Sequence, residues 1–223
     1  GDSHTYGNGL KDAGLEKPWE QHSYSSWPYY VFDKQDIENV SYPGCSNDII
    51  FLRLLRYAKA DNKVAILFSY PERLHITKNG YNFSFNYNFI HPVSDSGNEN
   101  WVADQIVKKI EGKNKELLLN HYDDDFLEIN FYKNILICQN FCEANNIDYY
   151  FSMVQVRQKR KMSGSLEIYR DNLFNSINWN HVFLVEQKYG FTDYAKVINA
   201  ERGQDDMHWN EQYHKTFGKL FLD

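Results

Sequence analysis

The run "SNDIIFLRLLRYAKADNKVAILFSY" (46–70) changes its periodicity halfway along, and that change decides how the chain is read. From Ser46 to Asp61 apolar residues recur at helical spacing, behind a residue, Ser46 or Asn47, whose side-chain oxygen suits a helix N-cap. From Lys63 to Tyr70 the apolar residues are continuous and bounded by polar ones, as in a strand buried on both faces. A helix feeding such a strand is the repeating unit of a parallel sheet with helical crossovers.

The flanking sequence continues this alternation. "SSWPYYVFDKQD" (25–36) reads as a helix and "ENVSYPG" (38–44) as a short strand. "RLHITKNGYNFSFN" (73–86) alternates on both sides of Asn79-Gly80, the turn pair favoured in hairpins, so an inserted β-hairpin is expected in an insertion over about 73–100. Helices follow at 99–111, about 113–121 and 124–145, and strands at 147–156 and 181–186. The segment 209–223 reads as an amphipathic helix with Tyr213, Phe217, Leu220 and Phe221 largely on one face. Strands separated by helices imply an α/β domain with a mostly parallel sheet, whose ligands sit beyond the carboxyl ends of the strands. The loops expected there hold Gly44-Cys45-Ser46-Asn47, Ser69 to Arg73, and Asp205 to His208.

At 223 residues the chain reads as a single domain over 1–223, and 42% hydrophobic with 24% charged residues argues against disorder. A net charge of −6 gives no reason to expect a nucleic-acid partner, and "RQKRK" (157–161) reads as a solvated loop. No apolar stretch approaches the roughly 20 residues of a membrane span, and no signal peptide is visible, so a soluble protein of unspecified compartment is expected. Three cysteines imply no disulfide framework, and Cys138 and Cys142 read as buried core thiols. Aromatic residues, at 17%, suit either a densely filled core or a surface that stacks on sugars.

The chain opens on "GDSHTYG" (1–7), a cluster that two chemistries use. Asp2 and His4 match the G-D-x-H stretch of metallophosphoesterases. That reading needs later G-D-x-x-D and G-N-H-[DE] blocks, and the nearest lookalike, "SGNEN" (96–100), lacks the histidine. It therefore fails, and neither a metal nor an organic cofactor is expected. The alternative is a serine nucleophile, which needs a neighbouring base, a carboxylate to orient that base, and donors for the oxyanion. "DDMH" (205–208) supplies an aspartate three residues before a histidine, so Asp205 can hold the His208 ring while its other nitrogen faces Ser3.

"GDSHTYG" at 1–7, "PGCSND" at 43–48 and "DDMH" at 205–208, ahead of a final helix, together resemble the SGNH/GDSL hydrolase superfamily of serine esterases and acyltransferases. The G-C-S-N loop and the S-Y-P-E-R strand end are similar to those of certain virus-encoded SGNH-like proteins. The resemblance implies a flavodoxin-like three-layer α/β/α fold. It also implies Ser3 as nucleophile, His208 as general base and then acid, Asp205 as its partner, and backbone N–H groups of Ser3 and Gly44 in the oxyanion hole. The family's G-x-N-D block is missing, since "FSYPERL" (68–74) has no asparagine. Asn47 is the nearest substitute as third donor, its alternative roles being a helix cap or polar surface. Arg73 can stabilise the anion, bind a charged part of the substrate, or lie on the surface. His4 bonds within the nucleophile turn or touches substrate, Asp2 anchors the turn, and His214 packs in the final helix. The expected activity is removal of a small acyl group, most simply acetyl, from an ester or an acylated carbohydrate. The same triad would serve a sugar O-acyltransferase, and a non-catalytic binding or structural domain on this scaffold is the reading from a different class.

Overall fold

The computed structural model describes residues 3–7, 10–13, 22–32, 37–78, 81–85, 90–93, 124–156, 161–162, 164–205 and 207–221. At its centre a helix hands over to a strand. Ser46 caps helix α3 (Asn47–Tyr57) by accepting the N–H of Ile49, and Ile49, Ile50 and Leu54 turn inward. Strand β1 (Lys63–Phe68) follows and pairs in parallel with β5 (Asp148–Met153), in register from Lys63↔Asp148 to Phe68↔Met153. Helix α4 (Asp124–Ala144) precedes β5 and opens on Asp124 and Asp125, which complement the positive end of its backbone dipole.

Alternation along β1 separates two cores. Ile66 and Phe68 point into a cluster with Ile49, Phe131, Ile135 and Cys138 from α3 and α4. Leu67, between them, points into a second cluster with Trp27, Phe191, Tyr213 and Phe217. That second cluster is built from α2 (Pro28–Val31), α6 (Phe191–Val197) and α7 (Glu211–Leu220). Cys45, Cys138 and Cys142 are all fully buried, and burial pushes the Cys142 thiol up to about 12.

The flavodoxin-like three-layer expectation is overturned. Most of the regular structure among the described residues is helical, and their parallel sheet has only two strands, β1 and β5. Residues 38–44 form no strand. Asn39 spends its side chain on Thr5 O and on the N–H of Ser41, Pro43 has no N–H, and Gly44 turns the chain at φ +77°. Residues 181–186 supply one isolated bridge to the sheet, Phe151↔Val182, with the Phe183 N–H on Phe151 O at 2.7 Å. The chain enters this run from a 3-10 turn (Trp179–His181), and Val185 folds back onto Tyr189, so the apolar side chains are packed while the backbone leaves the sheet. Of the helix expected at 25–36, the described residues 25–32 form the four-residue α2, and 33–36 lie outside the described residues.

After β1 the chain forms a separate antiparallel sheet of β2 (Leu74–Lys78), β3 (Tyr81–Phe85) and β4 (Ile90–Val93). Lys78 pairs with Tyr81 across the hairpin, and Phe85 with Ile90 beyond it. The remainder of the expected insertion, the helices expected at 99–111 and 113–121, and residues 157–160 of the basic run lie outside the described residues. Helix α5 (Ser165–Ser176) packs on α4. Among the described residues no helix is long and apolar enough to cross a membrane.

Candidate active site

The loop before α7 is closed on itself. The Asn210 N–H donates to Glu201 O at 3.1 Å, the Gly203 N–H to His208 O at 2.7 Å, and Arg202 Nη1 to Met207 O at 2.8 Å. The Arg202 guanidinium lies 3.7 Å over the Trp209 ring. Asn210 then caps α7 by accepting the Tyr213 N–H.

Within this frame Asp205 Oδ1 accepts the N–H groups of Met207 and His208, and Oδ2 lies 2.6 Å from His208 Nδ1. Partial burial pushes the Asp205 carboxyl up, but the backbone and ring N–H groups of His208, with the Met207 N–H, outweigh it and hold the carboxyl below its ordinary range. An ionised carboxylate only accepts, so Nδ1 carries the proton and a neutral His208 keeps the lone pair on Nε2. That is the tautomer a general base requires.

Ser3 begins the short helix α1 (Ser3–Tyr6) and is 6% exposed. Three side chains or turns hold that helix: Asn39 Nδ2 donates to Thr5 O at 2.9 Å, the Ser23 N–H to Tyr6 O at 2.9 Å, and the Trp27 indole N–H to Thr5 Oγ1 at 3.4 Å. The next residue, His4, packs its ring edge-on against His208, with centroids 5.2 Å apart. Segments far apart in the sequence therefore meet at this point. His4 also leans on Phe191, 5.0 Å away, and the same phenyl ring meets His214 at 5.2 Å. Phe191 is anchored at the carboxyl end of β5, where the Thr192 N–H donates to Val154 O at 2.8 Å.

Two of the three expected oxyanion donors, Gly44 and Asn47, lie in another group. Gly44 forms the turn before α3 at φ +77°. Asn47 is buried, and it is not the cap, which is Ser46. Its Oδ1 accepts the Ser69 N–H at 2.7 Å and its Nδ2 donates to Ser69 O at 3.2 Å, so it laces α3 to the residue after β1. Arg73 Nη1 donates to Ser69 Oγ at 2.9 Å, so Arg73 and Asn47 meet at Ser69. One amide hydrogen of Asn47 remains beyond that pairing. Asp2 lies outside the described residues, as does Asp206.

Sequence reasoning understated His214. It is fully buried, its Nδ1 accepts the Trp27 backbone N–H at 3.1 Å, and its Nε2 is buried without a hydrogen-bond partner among the described residues. Burial first, then the nearby His4 and His208, hold its ring well below the ordinary imidazole range, so it is neutral. The available signal was its place beside Tyr213 on the apolar stripe of α7. Arg202 and Phe191, which brace the loop and the histidines, carry no motif at all. Among the described residues no group of three or more His, Cys, Asp or Glu side chains is gathered to hold a metal. No protein-family model matches the chain, and neither a curated protein nor a solved structure matches it.

Proposed function

We propose that this chain is a serine-dependent ester hydrolase that removes a small acyl group through an acyl-enzyme on Ser3. The observation that carries the reading is the ring contact of His4, the residue after Ser3, with His208, whose Nδ1 is already engaged by Asp205. Ser3 Oγ attacks the ester carbonyl as its proton passes to His208 Nε2. The tetrahedral oxyanion collapses as His208 returns that proton to the departing alcohol. Water then gives a proton to His208 and attacks the acyl-enzyme, and His208 returns that proton to Ser3 Oγ as the carboxylic acid leaves. The N–H groups of Ser3 and Gly44 and the remaining Asn47 amide hydrogen are the proposed oxyanion donors. An SGNH/GDSL-like order of motifs supports these roles, without the sheet of that family.

The near burial of Ser3 favours a small acyl group such as acetyl. An acylated carbohydrate is the proposed natural ester, on the strength of the aromatic content. Treatment with a fluorophosphonate followed by peptide mass spectrometry tests the reading. Label on Ser3, lost in His208→Ala, is expected, and an unlabelled Ser3 in folded protein rejects it.

A further inference from the structure

We propose that His214 is a positioning residue: its neutral ring, through Trp27, fastens the segment bearing Ser3 to helix α7, the helix that follows His208. The inference rests on the serine-nucleophile reading above, and it adds a residue that touches neither substrate nor the reacting atoms.

The connection has two links. His214 Nδ1 accepts the backbone N–H of Trp27 at 3.1 Å, joining positions 187 residues apart. The indole N–H of the same Trp27 donates to Thr5 Oγ1 at 3.4 Å, two residues beyond Ser3. Trp27 is fully buried, so its amide has no water to turn to if the acceptor is lost. A second contact on the same face of α7 holds the pair in place. At Gly218, one turn beyond His214, an added Cβ would lie 2.6 Å from Tyr30 Cβ and 2.8 Å from Trp27 O. Only glycine lets α7 come so close to the Trp27 turn.

The ring has to be the Nε2–H tautomer, because the Trp27 amide is a donor and Nδ1 must offer a lone pair. Phe191 completes the arrangement, with His214 and His4 both against its ring. The segment bearing Ser3 is thus held to α7 by a chain of hydrogen bonds and by the Phe191 ring that His4 and His214 share, while His4 itself lies against His208. Exact placement of a reacting group is where small displacements are most costly, about 10²-fold for 1 Å.

The test compares His214→Phe, His214→Asn and His214→Gln in the intact chain. Asparagine offers an oxygen near the position of Nδ1, glutamine offers one near Nε2, and phenylalanine offers none. Two measurements are made: amide hydrogen exchange at Trp27 and Thr5 to Gly7, and the rate of Ser3 labelling by fluorophosphonate. Expected for His214→Phe and His214→Gln is exchange about tenfold faster, as for one hydrogen bond lost, and labelling about 10- to 100-fold slower. His214→Asn should bring both back close to wild type. Folded His214→Phe that exchanges and labels like wild type overturns the proposal. Should His214→Phe fail to fold, equal behaviour of the asparagine and glutamine variants overturns it instead. If wild-type Ser3 does not label at all, the esterase reading fails, while the exchange comparison still decides whether His214 holds the segment.

Discussion

The loop at 201–210 and the cradle around Ser69 are built in opposite ways. Every hydrogen bond described for the loop, from Glu201–Asn210 inward to Asp205–His208, joins residues within ten positions of one another. The cradle joins Asn47 to Ser69, 22 residues apart, and α1 is held by partners 22 and 34 residues away. Closing a short loop costs little chain entropy, so the Asp205–His208 pair is preformed by its own neighbourhood. The segment bearing Ser3 reaches its place only when the second core, which holds Trp27, has assembled, and the Asn47–Ser69 cradle only when α3 has docked on β1. The site should therefore fail from the Ser3 side first.

Substitutions that remove the proposed reacting groups have the largest expected effect. Ser3→Ala and His208→Ala should each lower kcat for p-nitrophenyl acetate by about 10⁴-fold or more, with little change in melting temperature. Unchanged hydrolysis in either would remove the contrast between the two regions, because neither would then serve catalysis.

The cradle responds on two scales at once. Asn47→Ala removes the two hydrogen bonds between its amide and the Ser69 backbone and should cost about 2 kcal/mol in chemical denaturation. If the remaining amide hydrogen serves the oxyanion, kcat falls a further 10²- to 10³-fold, about 2.7–4 kcal/mol. Lost stability with kcat intact would leave Asn47 purely structural and the hole to Ser3 and Gly44.

The pH dependence of stability separates the regions again. His214 has a folded value below its unfolded one, so the unfolded chain binds the extra proton, and stability rises with pH in that window. Its contribution is complete above about pH 6.5 and is lost below it, at up to about 1.4 kcal/mol per pH unit. The nearby rings of His4 and His208 lower the His214 value in the same direction as its burial. His214→Asn should flatten that slope. Asp205 is depressed as a carboxylate, so its contribution is present above about pH 4 and is lost only as pH falls through its folded value. Asp205→Asn should leave the slope between pH 4 and 6.5 in place, and a flattened slope there would show the two regions to be coupled. The smallest effect belongs to Ser46→Ala, which should cost about 1 kcal/mol as a lost cap and spare kcat.

Those expectations rest unequally on what was legible in the chain. Asp205 and His208 could be paired from spacing alone, because three residues within one turn bring the two side chains together whatever surrounds them. The run 46–70 declared a capped helix and a doubly buried strand, because a residue's local period and burial are written in its neighbours. The extent of the sheet was not legible. Residues 181–186 are as apolar as a strand, yet apolarity states only that a segment is buried, and this one is buried beside the sheet with a single bridge to it. Residues 38–44 were diverted by Asn39, Pro43 and Gly44, whose competing bonds were visible but whose partners were not.

The sequence by itself determined the local pieces: the capped helix at 47–57, the apolar stripe of α7 and the Asp205–His208 spacing. Tertiary structure alone decided that Asn47 turns to Ser69, that His214 is a buried neutral acceptor for Trp27, and that His4 lies against His208. Each of these joins segments far apart in the chain, where the partner is chosen by which apolar faces must be covered together. That choice is a property of the packed molecule and leaves no period, spacing or motif in the sequence.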